Sequence, residues 1–266
     1  MLDLGPLRQT ILDRNTKGIP GTCTPFKLCD IATKQWNVLR EDLPLPLMVL
    51  KRSSLDFNSD LFANYLSEHD LSLAPHGKTT MSPQLFDEQL RHGAWGITAA
   101  TVNQVQVMRQ FGINRIVLAN QLVGKANVQS IVSEMNSDPN FEFFCFVDSI
   151  AQLENIERNL LGANQTRPIG ILVEIGAVGG RTGIREQDEA IALIEKVSTD
   201  QSKFRFSGIG AFEGAIPGLN KSADPVTTYA NQILEVVQAI PQSCYAGLGE
   251  FILTGGGSSY FDIIAE

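Results

Sequence analysis

From Leu45 onward, short apolar runs alternate with amphipathic stretches. The runs Leu45–Leu50, Leu71–Ala74, Gly96–Ala99, Arg115–Leu118, Glu142–Val147, Ile169–Ile175, Phe206–Ala211 and Phe251–Thr254 predict eight strands. Apolar residues at helical spacing predict helices over Asn58–Glu68, Ser82–His92, Val102–Phe111, Lys125–Met135, Ile150–Leu160, Glu186–Val197 and Pro225–Ala239. Compact, β-branched runs suit a parallel sheet buried on both faces. Eight strands separated by seven helices give an α/β fold, a (β/α)8 TIM barrel, with a doubly wound open sheet as the alternative. Strand count and steady unit length favour the barrel over residues 45–266. Residues 1–44 are loop-rich, with Gly18, Pro20, Gly21 and Pro25, and read as an arm or a piece of another layer. Phe261–Glu266 starts a last helix that is too short to complete itself.

Composition narrows the partners. A chain of 266 residues with 43% hydrophobic content can bury one large core or divide in two. A net charge of −8 argues against nucleic acid. Met1–Arg14 has no signal-peptide core, and no stretch reaches membrane-spanning length. The four cysteines form no CxxC pair, and Cys145 lies within an apolar run, which suits a reducing cytoplasm.

In a barrel, catalytic groups come from the C-terminal ends of strands. The second strand exits into His76-Gly77-Lys78. A lysine ammonium is compact and strongly hydrated, and when partly buried its pKa falls. It is then a nucleophile able to form a Schiff base with an aldehyde, although most lysines in isolation are solvated loop residues. The fourth strand exits into Asn120-Gln121, and the sixth into Gly176–Gly183, where Arg181 stands among glycines. The seventh exits into Phe212-Glu213-Gly214; Glu213 reads equally as a site carboxylate or a solvated loop residue. The eighth exits into Gly255-Gly256-Gly257-Ser258-Ser259-Tyr260. Successive glycines let backbone N–H groups approach a phosphate, against the alternative of a plain flexible turn. His69 and His92 end helices and are read as dipole-favoured residues.

These motifs, Pro75-His76-Gly77-Lys78-Thr79, Gly96–Thr101, Leu118–Gln121, Gly180–Gly183, Phe212–Gly214 and Gly255–Ser258, stand in an order that resembles fold-type III pyridoxal-phosphate enzymes. From Leu45 to its end the chain looks like the alanine racemase-type N-terminal barrel of the D-threonine aldolase, D-serine dehydratase and amino acid deaminase group. The resemblance implies pyridoxal 5′-phosphate held as a Schiff base on Lys78, with His76, Asn120 and Glu213 beside it. It places Arg181 at the pyridine nitrogen, and Gly255, Gly256, Gly257, Ser258 and Tyr260 on the phosphate. A fixed positive charge opposes protonation of that nitrogen and makes the ring a weaker electron sink. In the group a divalent metal, Zn or Mn, on the substrate β-hydroxyl supplies the help. Its ligands lie in a C-terminal β-domain missing here, so the metal and a homodimer are expected only of a full-length protein. The resemblance implies a lyase acting on D-amino acids with a β-hydroxyl, and implies that a fragment of it is inactive. The alternatives are a single-barrel pyridoxal-phosphate homeostasis protein without turnover, or an amino acid racemase.

Overall fold

The structure is a computed structural model that describes residues 1–217, 219 and 224–266. Residues 1–44 carry a short helix, α1 (Gly5–Arg8), and a two-stranded antiparallel ribbon of β1 (Ile11–Leu12) with β2 (Phe26–Lys27). Helices α2 (Arg52–Glu68) and α3 (Pro83–Arg91) follow. The centre is a parallel sheet in sequence order: β3 (Ile97–Ala99), β4 (Arg115–Gln121), β5 (Glu142–Val147), β6 (Ile169–Ile175), β7 (Phe204–Ala211) and β8 (Ile252–Thr254). Successive strands are joined by α4 (Val102–Gln110), α5 (Lys125–Ser137), α6 (Ile150–Leu160), α7 (Gln187–Thr199) and α8 (Asp224–Ala239); α9 (Phe261–Ala265) comes last.

Period-two alternation divides the strands between two cores. Phe143, Cys145 and Val147 of β5 face the helices in one cluster with Val128, Ile131, Leu153 and Ile156. Phe144 and Phe146 turn inward and meet Val117, Leu172, Trp95 and Ile252. A side chain at Gly210 would come within 2.6 Å of the Phe146 ring, so glycine there gives the ring its space. The sheet curls until Trp95, just before β3, donates to Glu250, just before β8, at 3.3 Å. This is the interior of a curled half-barrel, its two edge strands linked at the lower rim by that one bond. Among the described residues, no helix is long and apolar enough to cross a membrane.

Two expected strands differ. Leu45–Leu50 forms no strand, and Leu45, Met48, Val49 and Leu50 are all more than half exposed. Pro44 and Pro46 offer no N–H to a ladder, and Pro within an apolar run argues against a paired strand. Leu71–Ala74 is not a strand either; the pairing lies a few residues later. Trp95 N–H donates to Leu73 at 2.8 Å, Thr98 N–H to Pro75 at 2.9 Å, and Gly77 N–H to Thr98 at 2.8 Å. Pro75 lacks a donor, so only an isolated bridge, His76 to Thr98, remains. The helix expected over Asn58–Glu68 begins at Arg52.

Candidate functional site

The alternation that fills the barrel also opens its mouth. On β6, Val173 and Ile175 face the helices, so Leu172 and Glu174 face inward. Leu172 completes the interior, and Glu174, nearer the strand end, is a carboxylate only 6% exposed. Its Oε1 accepts from the Thr182 hydroxyl at 2.7 Å. Burial raises its pKa; the Thr182 bond opposes this, nearby Asp148 adds to it, and the charges of Arg181 and Arg185 lower it again.

Residues 176–185 fold back over the end of β6. Gly176 N–H donates to Ile184, and Ile184 N–H to Glu174, both at 2.8 Å. Arg185 donates to the carbonyls of Gly180, at 3.0 Å, and Gly183. Gly183 N–H donates to Asp148 Oδ2 at 3.3 Å, and Asp148 Oδ1 accepts from Gln121 at 2.9 Å. A cap fixes Asp148 in turn. The Ser149 hydroxyl accepts from Gln152 N–H at the start of α6, and the Gln152 amide oxygen accepts from Asp148 N–H at 2.9 Å. Arg181 stands exposed at the tip of this braced loop, its guanidinium carbon 5.8 Å from the Phe212 ring centroid.

The Tyr229 hydroxyl, from α8, donates to Ile175 at 2.5 Å and accepts from Phe212 N–H at 3.4 Å, tying the ends of β6 and β7 together. Burial pushes its pKa up to about 12. Next along the chain, Glu213 is 1% exposed; its Oε1 accepts from Gly257 N–H at 2.5 Å and its Oε2 has no partner among the described residues. Glu213 is therefore no solvated loop residue.

At the other edge of the sheet, exposed Lys78 follows the His76–Thr98 bridge. His76 Nδ1 lies 3.1 Å from the Thr98 carbonyl oxygen. Its pKa is lowered, first by burial and then by the Lys78 charge, while Thr98 opposes the shift. Asn120, at the end of β4, donates to Ala100 at 3.0 Å and accepts from Gln121 N–H at 2.9 Å. Gly255, Gly256 and Ser258 are exposed, with Gly256 at φ +93°. The Tyr260 hydroxyl donates to Leu219 at 3.0 Å. The direct contacts among the sequence-derived candidates are thus between Glu213 and Gly257, and between His76 Nδ1 and the Lys78 amide at 3.4 Å. The others are gathered by their common position after the C-terminal ends of parallel strands. Among the described residues, no group of three His, Cys, Asp or Glu side chains could hold a metal ion.

Asp148, Glu174 and Tyr229 escaped the sequence reading. Asp148 directly follows an apolar strand, and Glu174 is the only charge in Ile169–Ile175, so both carried a signal. Tyr229 carried none, being one aromatic on an amphipathic helix.

Residues 53–258 match the family described as alanine racemase, N-terminal domain. The chain is 23% identical over 223 residues to the 3-hydroxy-D-aspartate aldolase of Paracoccus denitrificans (strain Pd 1222), covering 83% of this chain and 56% of the relative. It is 25% identical over 222 residues to an Arthrobacter D-threonine aldolase, covering 82% and 56%. The crystal structure of D-threonine aldolase from Filomicrobium marinum superposes with a TM-score of 0.69 at 23% identity, covering 84% of this chain and 59% of that one. The chain thus spans about half the length of the curated relatives it matches.

Proposed function

Because this chain belongs to the alanine racemase N-terminal domain family, we propose that its strand-end face binds pyridoxal 5′-phosphate and serves a lyase acting on D-amino acids with a β-hydroxyl. The observation that carries this reading is one arrangement: the amine of Lys78 follows the His76–Thr98 bridge at the β3 edge of one curled parallel sheet, and the guanidinium of Arg181 and the Gly255–Ser258 loop follow the C-terminal ends of its strands β6 and β8. That donor set fits the cofactor, with a primary amine for its aldehyde, a fixed cation for its ring and a glycine loop for its phosphate. The two aldolase relatives favour a β-hydroxy substrate.

When bound, the cofactor supplies an electron-withdrawing ring conjugated to the substrate amine. The chain's own residues do the rest. Lys78 would hold the cofactor and would move the proton at the substrate Cα. His76, its pKa lowered first by burial and then by the Lys78 charge, sits beside Lys78. Arg181 would hold the cofactor ring, and its fixed charge would oppose protonation of the ring nitrogen. Asp148, Glu174, Thr182 and Arg185 hold the Arg181 loop. Asn120, Glu213 and Tyr260 would stand beside the cofactor. The Zn or Mn expected by resemblance does not fit the described residues, and these residues carry out no step through it.

The test is chemical. The protein is incubated with pyridoxal phosphate, reduced with borohydride and digested, and the cofactor mass is expected on the peptide containing Lys78. A label elsewhere, or none, overturns the reading.

A further inference from the structure

We infer that α8 positions Arg181 through two side chains, Tyr229 and Gln232, and that the Tyr229 hydroxyl does so by standing in the β6–β7 ladder in place of a direct hydrogen bond. The inference rests on the cofactor reading above for what Arg181 is positioned against.

Strands β6 and β7 run parallel in register from Leu172↔Gly208 to Ile175↔Ala211. Continuing that register one step, the Phe212 N–H is the next donor toward the Ile175 carbonyl. Among the described residues no direct bond joins them. The Tyr229 hydroxyl lies between, accepting from the Phe212 N–H at 3.4 Å and donating to the Ile175 carbonyl at 2.5 Å. Two bonds in series hold the amide and the carbonyl farther apart than one bond of about 2.9 Å would. The hydroxyl therefore sets the spacing of the two strand ends at the mouth.

Those two ends carry Arg181 and its neighbour. Ile175 leads into the loop that holds Arg181, and Phe212 bears the ring 5.8 Å from the Arg181 guanidinium carbon. The helix is itself fixed, because Val226, Ile233 and Val236 bury its apolar face. Residues three apart share a helix face, and Gln232, three beyond Tyr229, donates to the Arg185 carbonyl at 2.9 Å. One face of α8 thus grips the Arg181 loop at both ends, at Ile175 where it begins and at Arg185 where it closes. Burial pushes the Tyr229 pKa up to about 12 against the Phe212 bond, and the charges of Glu174 and Glu213 raise it against that of Arg185. The hydroxyl keeps its proton at neutral pH and stays a donor to Ile175. Packing alone would be served as well by phenylalanine; only the hydroxyl makes these two bonds.

The experiment uses Tyr229→Phe, which keeps the ring and removes both bonds. In the cofactor-free protein, amide hydrogen exchange of Phe212 and of residues 176–185 is expected to quicken by about tenfold, while β4 and β5 keep their protection. Pyridoxal phosphate is then titrated, following the visible absorbance of the lysine-bound cofactor, in the wild type, Tyr229→Phe, Arg181→Gln and the double variant. Affinity is expected to fall by about tenfold in Tyr229→Phe. The double variant is expected to bind no more weakly than Arg181→Gln, because Tyr229 acts through Arg181. Unchanged exchange at Phe212 and 176–185 overturns the inference, and so does faster exchange throughout the sheet, which is the mark of a purely structural residue. Losses that multiply in the double variant overturn it too. If Tyr229→Phe does not fold, the same cycle with Gln232→Leu decides, with multiplying losses again fatal. The cofactor reading fails separately: an unlabelled Lys78 sinks that reading alone, since the exchange measurement needs no cofactor and still decides whether α8 holds the loop.

Discussion

Glu174 shows at one residue how burial and charge compete. Its carboxylate is enclosed by the barrel wall and keeps a single hydroxyl donor, Thr182. Burial raises the folded pKa above the ordinary value of 4.5. A raised carboxylate contributes favourably below its unfolded pKa, and that contribution is lost as pH rises through the folded value. Glu174→Gln is therefore expected to match the wild type in acid and to be more stable at pH 7, as read from thermal midpoints across pH. A wild type that is the more stable at pH 7 would show that Arg181 and Arg185 outweigh burial. His76 has the opposite sense: its pKa is lowered, so its contribution is present above 6.5 and lost as pH falls. Phe144 tests packing alone. It fills the barrel interior at 3% exposure, and Phe144→Ala is expected to cost about 3–5 kcal/mol in denaturant unfolding.

Among the elements, the loop after β6 depends most on backbone geometry. Gly183 sits at φ +87°, and a side chain there would come within 2.4 Å of Gly176 N. Gly183→Ala combines left-handed strain of about 1–3 kcal/mol with a backbone collision. It is expected to unseat Arg181 and weaken pyridoxal-phosphate uptake severely while far-ultraviolet circular dichroism stays unchanged. Loss of the whole fold would instead make the loop part of the core. The run of glycines, with Arg181 among them, was legible in the sequence as a tight turn. Its bracing by Asp148 and Arg185 was not, because those bonds join residues up to 35 positions apart. The strands β5 and β6 were legible to the residue, since each is apolar but for one glutamate and covered on both faces. Leu45–Leu50 looked equally apolar, but a strand exists only where a neighbour accepts its hydrogen bonds. Pro46 within it, Pro44 before it and the lack of a partner left it unpaired.

For the whole molecule, closure is the question. The sheet stops at β3 on one side and β8 on the other. Across that gap α2 meets α9: Phe261 lies edge-on to Phe62 at 5.5 Å and to Tyr65 at 5.4 Å. Aromatic pairs add about 0.5–1.5 kcal/mol beyond burial, and 1 kcal/mol shifts the midpoint of a chain of this size by roughly 2–4 °C. Phe261→Ala is expected to lower the thermal midpoint by a few degrees without changing strand content. No shift would mean that the Trp95–Glu250 contact at the lower rim carries the closure.

The amino-acid order by itself determined the parallel α/β architecture, most of the helix positions and the strand ends at which Arg181, Glu213 and the Gly255–Ser258 loop emerge. All of these follow from local periodicity and from glycine and proline chemistry, which act within a few residues. Only the tertiary structure decided that Leu45–Leu50 stays unpaired, that Glu174 faces inward, and that Asp148 braces a loop from another strand. It also decided that Glu213, open between two roles in the sequence, lies buried against Gly257. Burial and partnership are properties of what the chain brings from elsewhere, and a one-residue change in strand register reverses every facing.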